Sequence, residues 1–243
     1  MRARVQCLHS PDAEPDEFAP PDARDARIFI QVLTGPRLAP DSTDIEGEES
    51  FDLQVFTPRA LQRLVSERGP VPGRHRVIVE QWDYPSIAAY LFHTFESEEA
   101  ADWEELGTRL GRIGRWEFED YDESHELGRM PPGVGAVVRA MRGVEVAPPD
   151  PADFRVPVEV TVAAVKGSGE GTFTVEVCTP SALERRVRSE GILLGEHLLI
   201  VERWDVAAIK AALTRMFQSQ DGATWSELAE RLARYGRPSG KIV

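Results

Sequence analysis

Apolar and polar residues follow two different periods along this chain. A period of two, or a short apolar run bounded by polar residues, predicts a strand. Stretches of this kind lie at residues 3–8, 28–33, 51–55, 136–141, 156–165 and 173–177. Apolar residues four positions apart predict one face of a helix, as in Ile87, Leu91 and Phe95, and again in Ile209, Leu213 and Phe217. The chain therefore combines predicted strands with predicted amphipathic helices.

The pattern occurs twice, because residues 51–115 align with residues 173–237 without a gap. The offset is 122, and 30 of the 65 aligned positions are identical. Two copies are too few for a solenoid, which needs at least three stacked units. The sequence therefore predicts tandem domains at residues 1–125 and 136–243, joined by a Pro/Gly-rich linker at residues 126–135. We expect the α+β class, with each copy ordered β-β-β-α-β-α-α and its helices over one face of a sheet.

Local signals support the predicted helices. Residues that favour helix N-caps precede them: Thr57, Asp83, Asp102, Asp205 and Thr224. Gly69 lies where a left-handed C-terminal cap is expected. Residues 75–82 predict a central strand, because the equivalent residues 198–201 are apolar on both faces. The repeated tryptophans Trp82, Trp103, Trp204 and Trp225 are expected to be mostly buried.

Catalytic motifs do not recur in the two copies. His75 and His197 recur, but no Ser or Cys nucleophile recurs beside them, so a structural role is favoured. Cys178 with His197 would resemble a Cys–His pair, yet the first copy has Phe56 at the position of Cys178. Phosphate-binding loops and metal-ligand spacings are not found either. We therefore expect no enzyme, no cofactor and no metal.

Glu80 also recurs, as Glu202, on a strand with apolar neighbours. It is predicted either as a buried acid or as the partner of Arg109 or Arg112 in an ion pair.

The net charge of −13 lies entirely in the first half of the chain. Residues 1–125 hold 26 acidic and 13 basic residues, whereas residues 126–243 hold 15 of each. This asymmetry is interpreted either as a solubility feature or as a field that steers a basic partner. Direct nucleic-acid binding would be opposed by phosphate repulsion. An apolar run of 18 residues and a signal-like N-terminus are both missing, which predicts a cytoplasmic protein that does not enter membranes.

A segment with alternating aromatic and acidic residues, 116–121, follows the last predicted helix of the first copy and is missing from the second. As structure, it predicts an edge strand with Trp116, Phe118 and Tyr121 facing inward and carboxylates facing outward. As function, it fits an aromatic and acidic surface that anchors a partner. Together with the acidic loop near residues 35–50, it supplies the candidate partner-binding residues Asp44, Glu46, Glu48, Glu49, Glu117, Glu119, Asp120 and Tyr121.

The order of these motifs resembles the immunity protein 8 family of bacterial polymorphic-toxin systems. The resemblance is carried by Phe51-x-x-x-Val55-x-Thr57-Pro58, by Gly73-Arg-His75 with Val77-Ile-Val-Glu80, by Trp103-Glu-Glu, and by Arg112-x-Gly-Arg-Trp-Glu-Phe-Glu-Asp-Tyr121. It implies a non-enzymatic protein that binds and occludes a cognate toxin. We expect a basic toxin, a nuclease being one class that fits.

The second copy lacks the closing aromatic and acidic motif, so it is interpreted as a degenerate scaffold or as a binder of something else. The alternative from another class is a structural module, in which two α+β copies pack as a pseudo-dimer and mediate assembly.

Overall fold

The computed structural model describes residues 1–37, 48–119 and 133–239. The first copy contains β1 (Ala3–His9), β2 (Arg27–Pro36), β3 (Glu49–Phe56), α1 (Pro58–Arg68), β4 (Val71–Pro72), β5 (Arg76–Ile78), α2 (Tyr84–Ser97), α3 (Trp103–Leu110) and β6 (Arg115–Trp116). The second contains β7 (Val134–Arg142), β8 (Arg155–Ala164), β9 (Glu170–Cys178), α4 (Pro180–Glu190), β10 (Leu193–Leu194), β11 (Leu198–Ile200), α5 (Val206–Gln218), β12 (Asp221–Gly222), α6 (Trp225–Ala233) and β13 (Arg237–Pro238).

The offset of 122 found in the sequence holds in the structure. Helices α1 and α4 begin and end at equivalent residues, as do the strand pairs β4/β10, β5/β11 and β6/β13. Helices α2 and α3 begin at residues equivalent to the starts of α5 and α6. The predicted α+β class and the main element order are confirmed. The two-residue strand β4 was not predicted, because two residues are too few to show a period. The edge strand predicted at residues 116–121 is present only as β6, which ends at Trp116.

The chain divides into two compact units that do not follow the two copies strictly. Unit 1 contains Met1–Ala60, His75–Tyr121 and Arg186–Leu194, and unit 2 contains Leu61–Arg74, Asp122–Arg185 and Gly195–Val243. Each unit therefore includes a short segment from the other copy. The predicted boundary at residue 125 and most of the predicted linker lie outside the described residues, so those boundaries stay a prediction.

The sheet of unit 1 has the strand order β1-β2-β3-β5-β10, and β6 also pairs with β3. Strands β3 and β5 are parallel, whereas β10 runs antiparallel to β5. Helices α2 and α3 cover one face of the sheet and bury Ile87, Leu91, Phe95, Leu106 and Leu110 against it. The central position predicted for the strand near residues 75–82 is confirmed, although only Arg76–Ile78 is a strand.

The sheet of unit 2 has the order β12-β7-β8-β9-β11-β4, with β13 pairing with β9. Strands β9 and β11 are parallel, and β4 is antiparallel to β11. Helices α5 and α6 bury Ile209, Leu213, Phe217, Leu228 and Leu232 against the sheet. Each unit thus has its own apolar core between one sheet face and two helices.

Three of the predicted side-chain caps of the later helices are confirmed. Asp102 accepts a hydrogen bond from the Glu105 amide at 2.9 Å, and Thr224 accepts one from the Glu227 amide at 3.2 Å. Asp205 similarly accepts from the backbone of α5.

The side-chain cap predicted at Asp83 is wrong. Asp83 occupies the N-cap position of α2 but makes no side-chain bond to the helix backbone. Its carboxylate instead accepts a hydrogen bond from the Ser86 hydroxyl at 2.5 Å. Pro85 lies at the start of the same turn and has no amide hydrogen to offer. The carboxylate is therefore satisfied by a side chain in place of a backbone amide.

The four repeated tryptophans are partly buried. Trp82 packs edge to face against Phe18, and Trp204 against Phe154, with ring centroids 5.0 Å apart in both cases. The predicted left-handed cap at Gly69 is confirmed, with φ at 75°.

Candidate partner-binding site

Trp116 is held near the start of strand β3 by three contacts. Strand β6 pairs with β3 in antiparallel register, which places Trp116 opposite Phe51. The two rings stack with centroids 6.2 Å apart and planes only 7° from parallel. The indole Nε1 donates a hydrogen bond to the Glu49 carboxylate at 2.6 Å. The ring is therefore a rigid platform whose position is set by the sheet.

Helix α3 carries a glycine that makes room for this ring. A Cβ atom added at Gly107 would lie 2.8 Å from the Trp116 six-membered ring. Glycine inside a helix is less favourable than alanine by about 1 kcal/mol, so its presence here needs a reason. The second copy has Ala229 at the equivalent position, and Pro238 in place of Trp116. The glycine and the tryptophan therefore occur together in one copy and are replaced together in the other.

The three residues after Trp116 form a turn that reverses the expected alternation. The Glu119 amide donates to the Trp116 carbonyl at 3.0 Å. Glu117 stays in register with β3, because its carboxylate accepts from the Ser50 amide at 2.7 Å and its amide donates to the Ser50 carbonyl at 3.1 Å. Phe118 stands edge-on against Trp116 with centroids 5.8 Å apart, and 44% of it is exposed.

The inward position predicted for Phe118 is therefore wrong, and so is the outward position predicted for Glu119. The Glu119 side chain is only 8% exposed, and its Oε2 lies 3.8 Å from His75 Nε2. The turn breaks the strand at Trp116, so the period of two no longer assigns residues to faces. Phe118 becomes a surface residue and Glu119 a partly internal one.

His75 and His197 have a shared structural role that explains their recurrence. Both adopt a left-handed backbone, with φ at 58° and 57°. His75 Nε2 donates to the Gly111 carbonyl at 2.9 Å, and His197 Nε2 donates to the Ala233 carbonyl at 3.0 Å. Each imidazole thus bonds to the C-terminal end of the last helix in its copy. This arrangement ties the start of the central strand to that helix.

Glu48 is an exposed carboxylate just before β3, and its charge reaches β1. Burial raises the pKa of the Cys7 thiol above its ordinary value, and the carboxylates of Glu48 and Glu14 raise it further. The field of Glu48 is therefore felt across the neighbouring strands.

We call the surface formed by Glu48, Glu49, Trp116, Glu117 and Phe118 the Trp116 corner. Two of the predicted partner-binding residues, Glu49 and Glu117, are brought together there by the pairing of β6 with β3, and Glu48 precedes Glu49 in the chain. Glu119 is not part of this surface, because its side chain is mostly buried and faces His75. The remaining predicted residues, Asp44, Glu46, Asp120 and Tyr121, lie outside the described residues. Phe118 was not among the predicted partner-binding residues, and its exclusive presence in the first copy was the signal that could have identified it.

The second copy keeps the backbone of this region but not its side chains. Strand β13 pairs with β9, and the Ser239 amide donates to the Thr172 carbonyl at 2.8 Å. Gly171 stands in place of Glu49, and Pro238 in place of Trp116. The aromatic platform and its acidic rim are therefore restricted to the first copy.

The ion pair of Glu80 differs from the one predicted. Its carboxylate lies 3.3 Å from Arg188 and is 39% exposed, so it is neither a buried acid nor a partner of Arg109 or Arg112. Those two arginines bond to Glu105 and Glu98 instead.

The two cysteines lie in different environments. Cys178 is fully buried and Cys7 is exposed, and both are thiols. Among residues 1–37, 48–119 and 133–239, no three His, Cys, Asp or Glu side chains are grouped so as to hold a metal ion. Within the same residues, no helix has both the length and the apolar character needed to cross a membrane.

The family model for immunity protein 8 matches residues 3–121 and 138–237. The chain belongs to this family. Membership in the immunity protein 8 family suggests a toxin-inhibiting role and a non-enzymatic inhibitor. The first match includes the Trp116 corner, whereas the second ends at the residue before Pro238. No curated protein and no solved structure matches the chain.

Proposed function

We propose that this protein neutralises a cognate toxin in the cytoplasm of the toxin-producing cell, by binding the toxin through the Trp116 corner and covering its active site. The observation that carries the proposal is Phe118, a large apolar side chain left 44% exposed on a rigid aromatic base. Aromatic side chains held in this way are typical binding hot spots.

The rim of the corner is acidic, which favours a basic partner. Glu48 and Glu117 are exposed, and one Glu117 carboxylate oxygen accepts from the Ser50 amide, whereas the Glu49 carboxylate is held by the Trp116 indole. The proposal therefore gives Glu48 and Glu117 direct roles toward the toxin and gives Glu49 a positioning role. Asp44, Glu46, Asp120 and Tyr121 contribute further contacts to the toxin in our proposal. A nuclease fits, because a surface that binds phosphates is itself basic.

The expected energetic pattern separates the aromatic anchor from the acidic rim. Truncating a hot-spot residue costs about 2 kcal/mol or more, which corresponds to a roughly 30-fold increase in Kd. Charged residues at the rim act mainly on the association rate. We therefore expect Phe118 to govern dissociation of the toxin and Glu48 and Glu117 to govern its association.

A co-expression experiment tests this proposal. The full-length protein is produced together with the toxin encoded beside its gene, as wild type and as Phe118→Ala. The matched control is Val146→Ala, which removes an apolar side chain that is 77% exposed in the second copy. We expect Phe118→Ala to lose protection and to bind with a Kd raised roughly 30-fold, while the control protects like wild type.

Two outcomes would overturn the proposal. If Phe118→Ala protects and binds like wild type, the Trp116 corner is not the binding surface. If the wild-type chain does not bind or inhibit the neighbouring toxin at all, the alternative of a structural assembly module is favoured.

A further inference from the structure

We propose that strands β5 and β11 each carry a strand-acceptor site, which recognises an extended apolar dipeptide followed by glycine and supplied by the other copy of the repeat. In unit 1 the site on β5 holds Leu193 and Leu194 of β10. In unit 2 the site on β11 holds Val71 and Pro72 of β4. The second copy would thereby have a function of its own, which is to complete the unit that contains the Trp116 corner. The proposal does not depend on toxin binding.

The registers of the two pairings are the same. In unit 1, Leu193 pairs with Ile78, and Leu194 pairs with Val77. In unit 2, Val71 pairs with Ile200, and Pro72 pairs with Leu199. Shifting either set by 122 residues produces the other set. In a symmetric contact between identical chains, residue i of one chain meets residue j of the other and the reverse. The two copies show this reciprocity within a single polypeptide.

Glycine after the dipeptide is required by a close backbone approach in unit 2. A Cβ atom added at Gly73 would collide with the Gly195 carbonyl oxygen, and one added at Gly195 would collide with the Gly73 carbonyl oxygen. The Gly73 amide also donates to the Leu198 carbonyl at 2.8 Å. Glycine therefore stands at this position in both copies, because a side chain on Gly73 or on Gly195 would collide with the backbone of the other glycine.

Side-chain contacts next to the two sites are equivalent in position. In unit 1, Arg188 lies 3.3 Å from Glu80. In unit 2, the Ser66 hydroxyl donates to Glu202 at 2.7 Å. The offset of 122 relates Arg188 to Ser66 and Glu202 to Glu80. The contact is therefore kept although one partner has changed from arginine to serine, which indicates that the backbone arrangement sets it.

The first residue of each inserted dipeptide is buried, and the second is partly buried. Leu193 is 6% exposed and Val71 is 8% exposed. Ile192 and Leu194 pack against the core of unit 1, which is otherwise made from the first copy. Removing the inserted segment would expose this apolar surface together with the unpaired backbone of β5. Each acceptor site therefore binds its segment both by burying apolar side chains and by backbone hydrogen bonds.

The test uses the full-length chain with a protease site introduced within residues 126–130 and cut after purification. We expect the cut protein to remain one particle with the 27.1 kDa mass of the uncut chain, by size-exclusion chromatography and native mass spectrometry. In a second arm, Gly195→Ala is compared with Gly135→Ala, where the added Cβ would have only Val165 at 3.6 Å. Gly195→Ala should raise the dissociation constant of the cut halves at least about tenfold, and Gly135→Ala should leave it unchanged.

A third arm changes only exposed side chains, so it stays informative if Gly195→Ala fails to fold. Ser66→Arg reproduces in unit 2 the pair that Arg188 forms in unit 1, and should tighten the cut halves by at most about fivefold. Arg188→Glu should weaken them, and the double variant Glu80→Arg with Arg188→Glu should restore them. Separation of the cut wild type at micromolar concentration would overturn the proposal. Equal behaviour of Gly195→Ala, Arg188→Glu and the control would overturn it as well.

Discussion

Gly107 shows how the choice of a single residue is explained by a contact with another residue outside its own helix. The helix would be more stable with alanine there, and the second copy has alanine. The indole of Trp116 occupies the space that a side chain at Gly107 would need. The local sequence of the helix therefore makes sense only together with the residue that lies on it.

The variant Gly107→Ala separates the effect of helix propensity from the effect of the space that the Trp116 indole needs. The added methyl group improves helix propensity by about 1 kcal/mol but displaces the Trp116 ring, so Phe118 loses its support. We expect a shift of tryptophan fluorescence and faster dissociation of the toxin, with little loss of stability.

The matched control for this variant is Ala229→Gly, which makes the reverse change at the equivalent position. It should lower the free energy of unfolding by about 1 kcal/mol and leave toxin dissociation unchanged. If Gly107→Ala binds the toxin with wild-type kinetics, the position of Trp116 does not matter for binding.

Cys7 reports the electrostatic field of Glu48. Because carboxylate charge disfavours the thiolate, Glu48→Gln should lower the pKa of Cys7 toward its ordinary value. More thiolate is then present at neutral pH, so alkylation of Cys7 should be faster. Cys178 is fully buried and should not react in the folded protein.

Glu17→Gln is the control for this measurement, because Glu17 is exposed but is not among the groups that raise the Cys7 pKa. An unchanged alkylation rate in Glu48→Gln would show that Glu48 does not act on Cys7.

At the scale of elements, α3 and α6 begin with matching caps, whereas α2 and α5 do not. Asp102→Ala and Thr224→Ala each remove a side-chain bond to a helix amide and should cost about 1 kcal/mol. Asp83→Ala removes only a bond to the Ser86 hydroxyl and should cost less than about 0.5 kcal/mol, as a surface substitution does.

Urea denaturation measures these differences as shifts of the midpoint at constant slope. An Asp83→Ala variant as destabilised as Asp102→Ala would mean that Asp83 caps α2 after all.

The elements that could be predicted from the sequence are the longer ones with an apolar stripe or a regular alternation. Strands β4 and β10 are two residues long, and nothing in their local sequence distinguishes pairing within a copy from pairing with the other copy. The exchange of these strands is a property of the tertiary structure, so the repeat alone does not indicate it.

The candidate site was predicted in part, for a physical reason that lies in the turn after Trp116. The acidic and aromatic segment at residues 116–121 could be identified as a candidate site because the second copy lacks it. The faces assigned to Phe118 and Glu119 were wrong because alternation holds only while the strand continues. The hydrogen bond from the Glu119 amide to the Trp116 carbonyl ends the strand and turns the aromatic ring outward.

At the scale of the whole molecule, charge asymmetry should control how quickly a basic toxin is captured. The double variant Glu48→Gln with Glu117→Gln should slow association several-fold at low salt, within the roughly 10–1000-fold range that steering provides. The effect should shrink as the Debye length falls from about 8 Å at 0.15 M to about 3 Å at 1 M. Dissociation should change little.

Stopped-flow binding at several salt concentrations measures this effect. The control is Glu159→Gln with Glu170→Gln, which removes the same charge from exposed positions of the second copy. Equal slowing by both double variants would mean that net charge matters and its location does not.

Strand exchange within one polypeptide affects how the folded pair depends on the concentration of the protein in the cell. Two separate chains that complete each other assemble only when their concentration exceeds their dissociation constant. Joining them replaces that concentration by an effective one, which is in the millimolar range for short flexible connections. Under our proposal the fused pair is complete at any copy number. A cell with only a few molecules of the inhibitor would then hold each of them in its active form when the first toxin molecule is made.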